Sequence, residues 1–352
     1  MVIGAHIWED NTEQSKLLFA LQNVFAITPE TKIILFSTST LFNLPHNFLQ
    51  VTINLKPKNK LLLYYWYQYK LPKLIIKHNI NTFISNAGIL ASDKTLAQFL
   101  FIENQHLLTE RNSFFKTRIS ESTSKAKKIF ITDKVLTEQF KKKFPKQADK
   151  LQHLNFNINK HIILFTEEEL ESIKEKYTGG FDYYLFTIDV STKAHIVTVL
   201  KAFSQLKKWQ KTSIKLVLSF EKEIDENLLP DFKNYKYKND VILIKKTGSN
   251  KLQLTASAFA YIFLADYNFR ENVYDALQYN IPVIAIDNID NHLLFNQAIA
   301  YTALSVDGIA TQLQTIYKDE MFKKKLLQKA ENFLADFDNK INSQKFIEAL
   351  SN

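Results

Sequence analysis

Apolar and polar positions fall in blocks along this chain. Short, wholly apolar runs of strand length recur between longer segments whose apolar residues return every third or fourth place. The short runs read as strands covered on both faces, and the longer segments as helices packed along one side. In the first half the pattern predicts strands at Val2–Trp8, Lys32–Ser37, Leu49–Asn54, Thr82–Asn86, Ala97–Glu103 and Lys128–Thr132. Helices are predicted at Asn11–Val24, Asn59–His78, Arg111–Lys127 and Lys134–Lys143. Pro72 is placed to kink the second of these, because it lacks an N–H and crowds the preceding turn.

The second half repeats the alternation. Thr166 followed by Glu167–Glu169 marks a helix start with a cap and first-turn acids, and Gly179-Gly180 marks its end. Strands are predicted at Phe181–Thr187, Ile214–Phe220 and Asp240–Lys245, and helices at His195–Trp209 and Asn250–Ala258. The stretch Ala258–Ile286 then reads as one strand–turn–helix–strand unit, with apolar runs at Phe259–Ala265 and Pro282–Ile286. Asn291–Ala298, a strand at Ala300–Leu304, and helices at Gly308–Lys318, Asp319–Asp336 and Ile341–Leu350 complete it. Strands alternating with helices predict α/β, doubly wound parallel sheets. A chain of 352 residues suits two such domains.

Composition narrows the chemistry. There is no cysteine, which excludes disulfides, thiolate nucleophiles and cysteine–zinc sites. No metal-ligating histidine or carboxylate cluster stands out, and the phosphate-binding glycine patterns are missing. With six glycines in all, a phosphate would be held by helix N-termini and side chains, Lys193 among them. The net charge of +9 reads as lysine-rich solvated faces, or as attraction to an anionic membrane surface or a phosphorylated ligand. No nucleic-acid-reading module accompanies it. MVIGAHIWED enters a strand directly without a leader pattern, and no apolar run nears the ~20 residues of a spanning helix. The expectation is a soluble, cytoplasmic protein, peripheral to the inner membrane at most.

Three stretches could carry chemistry. The turn Asp266–Glu271 follows a strand, where doubly wound sheets bind ligands. Glu103-Asn104-Gln105-His106 does the same in the first half, where His106 would need an orienting neighbour to act as a base. The aromatic stripe Tyr64, Tyr65, Trp66, Tyr67 and Tyr69 is either a helix packed on its sheet or a wall facing a cleft or membrane.

The segments IKEKYTGGFDYYLFT, TVLKAFSQLKKWQKTSIKLVLSF, KYKNDVILIKK and LTASAFAYIFLADYNFRENVYDALQYNIPVIA together resemble retaining nucleotide-sugar glycosyltransferases of the GT-B type. The likeness is to the "group 1" family in the form common among Bacteroidetes. WYQYKLPKLIIKHNINTFISNAGI resembles that family's acceptor-side segment, so the likeness runs from Trp66 to the C-terminus. It implies a GT-B-like pair of Rossmann-like domains facing across a cleft. Residues 1–160 would be the acceptor side, 161–336 the donor side, and 337–352 a helix crossing back to the first domain.

The resemblance also implies roles. The family's two glutamates, seven residues apart in an E-G-F-G-x-x-x-x-E-A segment, fall on Tyr267 and Asp275. The intervening glycines fall on Asn268 and Arg270, with Phe269 kept between them. Asp275 would accept hydrogen bonds from the donor ribose. Glu271 and Asn272 would stand beside the donor. The family's diphosphate-stabilising Arg and Lys fall on Asp189 and Ala194, with Lys193 one place before the lysine and Ile188 at the family's glycine. The family's His-Asp pair falls on Glu103 and Asn104. Lys193 and Glu103 are thus the catalytic candidates, and Lys193, Tyr267, Asn268, Phe269, Glu271, Asn272 and Asp275 the donor-binding ones. The implied activity moves a sugar from a nucleotide sugar to a glycan or lipid-linked acceptor in surface polysaccharide synthesis, with no metal or other cofactor. The motif has lost an acid and its glycines, so two alternatives stay open. One is a degenerate relative acting as a binding or partner subunit. The other is a different activity using Glu103, Glu271 or His106.

Overall fold

The computed structural model describes all residues except 9–14, 28–29, 42–43, 55–59, 94, 155–162, 190–191, 221–231, 249, 266–269, 338 and 352. The side chains of 24–27, 60, 106, 233, 339 and 340 are also outside the description. The chain divides into two compact units, Met1–Ile158 with Phe337–Asn352, and Asn159–Asp336.

The first unit runs β1 (Val2–His6), α1 (Lys16–Ile27), β2 (Lys32–Ser37), β3 (Phe48–Thr52), α2 (Lys60–Tyr65), a π turn (Trp66–Lys70), α3 (Leu71–Lys77), β4 (Thr82–Ser85), β5 (Ala97–Ile102), α4 (His106–Thr109), α5 (Ser113–Lys125), β6 (Lys128–Ile131), α6 (Lys134–Lys143) and β7 (Leu151–His153). Its seven described strands are all parallel, in the order β3-β2-β1-β4-β5-β6-β7. His6, the last residue of β1, lies between Phe36 of β2 and Ser85 of β4. The C-terminal helix Asn339–Ser351 belongs to this unit. It buries Phe346, Ala349 and Leu350 in the same core as Leu17, Leu21 and Phe101.

The segment predicted as one kinked helix, Asn59–His78, is instead three pieces in sequence. The break is the π turn just before Pro72, where the Leu71 N–H bonds to the Trp66 carbonyl five residues back. Pro72 has no N–H to return to Gln68, and its ring crowds that carbonyl, so the turn ahead of it widens. The widening serves packing. Leu63, Tyr67, Leu71 and Ile75 are all buried and stand four residues apart. Each such step overshoots an α turn by about 40°. The wider turn takes part of that drift back and keeps the row on the sheet.

The second unit runs α7 (Glu167–Thr178), β8 (Tyr183–Ile188), a 3-10 turn (Lys193–His195), α8 (Ile196–Trp209), β9 (Lys215–Phe220), β10 (Val241–Lys245), α9 (Lys251–Ala256), β11 (Ala260–Phe263), α10 (Glu271–Gln278), β12 (Val283–Ile286), α11 (Ile289–Phe295), β13 (Ala300–Thr302), α12 (Val306–Lys318) and α13 (Glu320–Ala335). Its six described strands are parallel in the order β10-β9-β8-β11-β12-β13. Local signals set several boundaries. Thr166 and Glu169 close a reciprocal capping box at the head of α7, and Gly179, with φ of 66°, ends it in the left-handed region. Both sheets reverse direction at their first strand, between β1 and β4 and between β8 and β11. At such switch points the loops part and leave a crevice at the strand C-termini.

Candidate functional site

In the second unit, the crevice position lies beyond Ile188 of β8 and Phe263 of β11. The chain leaves β8 through a tightly bonded loop. Thr192 N–H donates to Asp189 Oδ1 at 3.0 Å, and Asp189 N–H donates to Thr192 Oγ1 at 2.8 Å. The Thr192 hydroxyl donates to the Thr187 carbonyl at 2.9 Å, and Lys193 N–H to the Asp189 carbonyl at 3.0 Å. Asp189 and Thr192 thus close the loop on itself with a reciprocal pair of bonds ahead of the 3-10 turn that leads into α8. Lys193 follows with its side chain exposed.

Facing this loop is the head of α10. Glu271, its first residue, is exposed, and Arg270 just before it is buried. Asn272 is half-buried and hydrogen-bonds the Tyr261 hydroxyl, which also bonds Thr187. Asp275 is buried, and Lys251 Nζ from α9 stands 3.0 Å from its Oδ2. Tyr261 joins the two sides. Burial pushes its hydroxyl well above the ordinary tyrosine range, and the carboxylates of Asp189 and Asp275 push it the same way. The hydroxyl therefore stays protonated, able both to donate and to accept between the two elements. Thr187 passes the network on to Ser219 of β9 at 3.1 Å.

The structure thus joins Asn272 to the β8 end through Tyr261, and the charges of Asp189 and Asp275 act on the same hydroxyl. Tyr267, Asn268 and Phe269 lie outside the described residues. Tyr261 and Lys251 were not singled out by sequence reasoning. Tyr261 reads as one more apolar strand residue in AYIF, and Lys251 as a solvated helix lysine.

In the first unit, Glu103 follows β5 and is buried. Its Oε1 accepts from Ser15 Oγ at 3.0 Å and from Asn86 Nδ2 at 2.6 Å. Its Oε2 accepts from the Lys16 N–H at 2.5 Å and the Leu17 N–H at 3.3 Å. The carboxylate therefore caps α1, where unpaired N–H groups and the helix dipole favour an anion. Asn86 is itself fixed, since its Oδ1 accepts from the Trp8 N–H at 2.7 Å. Asn104 is exposed, and the His106 side chain lies outside the description. Next to Glu103's network stands another that the sequence did not announce. His6 Nδ1 bonds the Tyr67 hydroxyl at 2.6 Å, which in turn bonds Ser85 Oγ at 2.5 Å. Burial pushes the His6 pKa down to about 3, so the ring is neutral near pH 7 and a weak base. The signal for it was a histidine inside an otherwise apolar strand run, VIGAHIW.

No family model matches the chain, and no curated protein matches it. Solved structures do. A glycosyltransferase from Rickettsia africae ESF-5 overlays with a TM-score of 0.71 at 12% identity, covering 99% of this chain and 97% of that one. WaaG, a glycosyltransferase involved in lipopolysaccharide biosynthesis, overlays at 0.65 and 11% identity, covering 99% of each. Anabaena HepE in complex with UDP-glucose overlays at 0.67 and 12% identity, covering 100% of this chain and 99% of that one. Two parallel-sheet α/β units of this kind, matched over their whole length to such structures, have the GT-B fold.

Proposed function

We propose that the chain is a retaining glycosyltransferase that moves a sugar from a nucleotide-sugar donor to a glycan or lipid-linked acceptor in surface polysaccharide synthesis, without a metal. One observation carries the reading. An exposed lysine, Lys193, stands at the C-terminal edge of β8, while the Tyr261 hydroxyl links Thr187 of that edge to Asn272 in the first turn of α10. This is the switch-point position at which α/β sheets take nucleotides. The whole-length likeness to HepE solved with UDP-glucose supports a nucleotide-sugar donor.

The roles follow from charge. As the sugar's anomeric C–O bond breaks, its electron pair passes to the departing nucleoside diphosphate. The Lys193 ammonium meets that growing charge. A group of this kind is typically worth ~10²–10³ in rate. Asp275, oriented by Lys251, accepts hydrogen bonds from the donor ribose, and Glu271, Asn272, Tyr267, Asn268 and Phe269 line the donor. Glu103 acts by position, holding α1 and Asn86 at the strand ends.

A second reading, a degenerate relative serving as a binding or partner subunit, draws on Asp189. It stands where the family places an arginine, and its carboxylate accepts from Thr192. A thermal-shift series with UDP, GDP and their sugars separates the cases. Ligand at about a hundred times Kd stabilises by about 2.7 kcal/mol, a shift of several degrees. The transferase reading expects a shift that Lys193→Ala weakens, together with release of free nucleotide from the sugar donor. A shift without release favours the binding subunit. No shift with any nucleotide at millimolar concentration sinks the donor site.

A further inference from the structure

We propose that the outer face of the α2–π turn–α3 segment docks on an anionic lipid bilayer. The row that packs on the sheet, Leu63–Tyr67–Leu71–Ile75, has a counterpart on the opposite side. Leu61, Tyr65, Tyr69 and Ile76 are exposed by 66%, 52%, 60% and 76% of their surfaces. The Tyr65 and Tyr69 rings lie 4.7 Å apart, so these two side chains form one continuous surface. The same π turn that keeps the inner row in line keeps this outer row together. Single exposed apolar residues need no explanation, but four of them along one outer face do.

Charge identifies the occupant. Lys70, Lys73 and Lys77 are exposed on the same stretch. No Asp or Glu occurs anywhere between Glu30 and Asp93. Beside the row, α5 adds Phe114, packed edge-on to Tyr64 at 5.2 Å, and Arg118, whose guanidinium stands 5.2 Å from both rings. Arg118 is paired with Glu121 at 2.7 Å, so the unopposed charge is that of the three lysines. Leucines and tyrosines that can enter the headgroup boundary, flanked by three exposed lysines on a stretch without an acid, match a bilayer bearing negative headgroups. A protein partner would need acids opposite the lysines and a shaped apolar surface opposite the tyrosines. A fluid bilayer supplies both without a fitted shape. No helix among the described residues is long and apolar enough to cross a membrane, so the contact is one of lying on the surface. Its bearing on a lipid-linked acceptor rests on the transferase reading above.

Vesicle flotation of the full chain tests this. The chain floats with phosphatidylcholine vesicles containing about a third phosphatidylglycerol and stays behind with phosphatidylcholine alone. Lys70→Gln/Lys73→Gln/Lys77→Gln weakens binding by about a hundredfold, at about fivefold per lysine. Tyr65→Ser/Tyr69→Ser also weakens it. All five side chains are exposed, so both variants keep the parent's melting temperature. Lys324→Gln/Lys325→Gln/Lys329→Gln on α13 removes the same charge elsewhere and changes binding by less than about threefold. No binding to anionic vesicles, equal binding to neutral ones, or equal loss from the α13 variant would overturn the proposal. UDP thermal shifts without vesicles stay at the parent value in every variant. Vesicle failure with intact UDP binding defeats the docking alone, and UDP failure with intact docking defeats the transferase reading alone.

Discussion

Replacing Glu103 by Gln tests whether this carboxylate holds the fold or does chemistry. The site it occupies offers only donors. Oε2 faces the backbone N–H groups of Lys16 and Leu17, and Oε1 faces Ser15 Oγ and Asn86 Nδ2. A glutamine must point its NH₂ at one side or the other. On the first side it meets two N–H groups that cannot turn. On the second, the serine hydroxyl can reverse, but Asn86 cannot flip without abandoning the Trp8 N–H. Either placement leaves at least one buried donor unpaired, at about 1–3 kcal/mol, and reduces charge-assisted bonds to neutral ones, at about 1 kcal/mol more. The sum is about 3 kcal/mol, a fall of roughly 6–12 °C for a unit of this size. Two-unit unfolding is not one transition, so the first unit must be followed by itself. Trp8 and Trp66 lie in it and Trp209 in the other, so fluorescence in a Trp209→Phe background isolates it. A Glu103→Gln protein that melts within about 2 °C of its parent yet loses turnover would refute the capping argument and return Glu103 to the chemistry.

Two further outcomes follow from the same unit. His6 has an ordinary pKa of 6.5, lowered by burial to about 3, so below pH 6.5 the unfolded chain takes up a proton that the folded chain refuses. Stability present above pH 6.5 is then lost as pH falls toward 3, at about 1.4 kcal/mol per pH unit, and His6→Phe should make that slope shallower by one proton. Urea midpoints at pH 7 and 4.5 measure it, and an unchanged slope refutes the burial of a neutral ring. Phe346 is fully buried, with its ring edge-on to Phe130 at 4.7 Å and Phe101 at 6.1 Å. Phe346→Ala should cost the first unit's transition about 3–5 kcal/mol and leave the second's in place. A shift confined to the second transition would contradict the packing.

What the chain's own pattern determined is what local physics determines. Runs such as KIILFS and VIAI are buried almost throughout, so their apolar continuity was enough to mark them as strands of covered parallel sheets. The Thr166–Glu169 box and the Gly179 terminator act within one helical turn and were legible for that reason. So was the alternation that leads to two parallel α/β sheets. Pro72 marked a break, but only the row Leu63–Tyr67–Leu71–Ile75 against the sheet decided that it would be a π turn. The partners of polar groups could not be read in this way. Glu103 finds Ser15 from 88 residues away because β5 lies two places from β1 in the sheet, and no spacing in the chain encodes that order. Tyr261 was hidden inside an apolar run, and it became a junction only when β11 came to lie beside β8 and under α10. Periodicity records which face of an element is buried. Which distant carboxylate, hydroxyl or amine meets which is set by strand order, and strand order exists only in the folded chain.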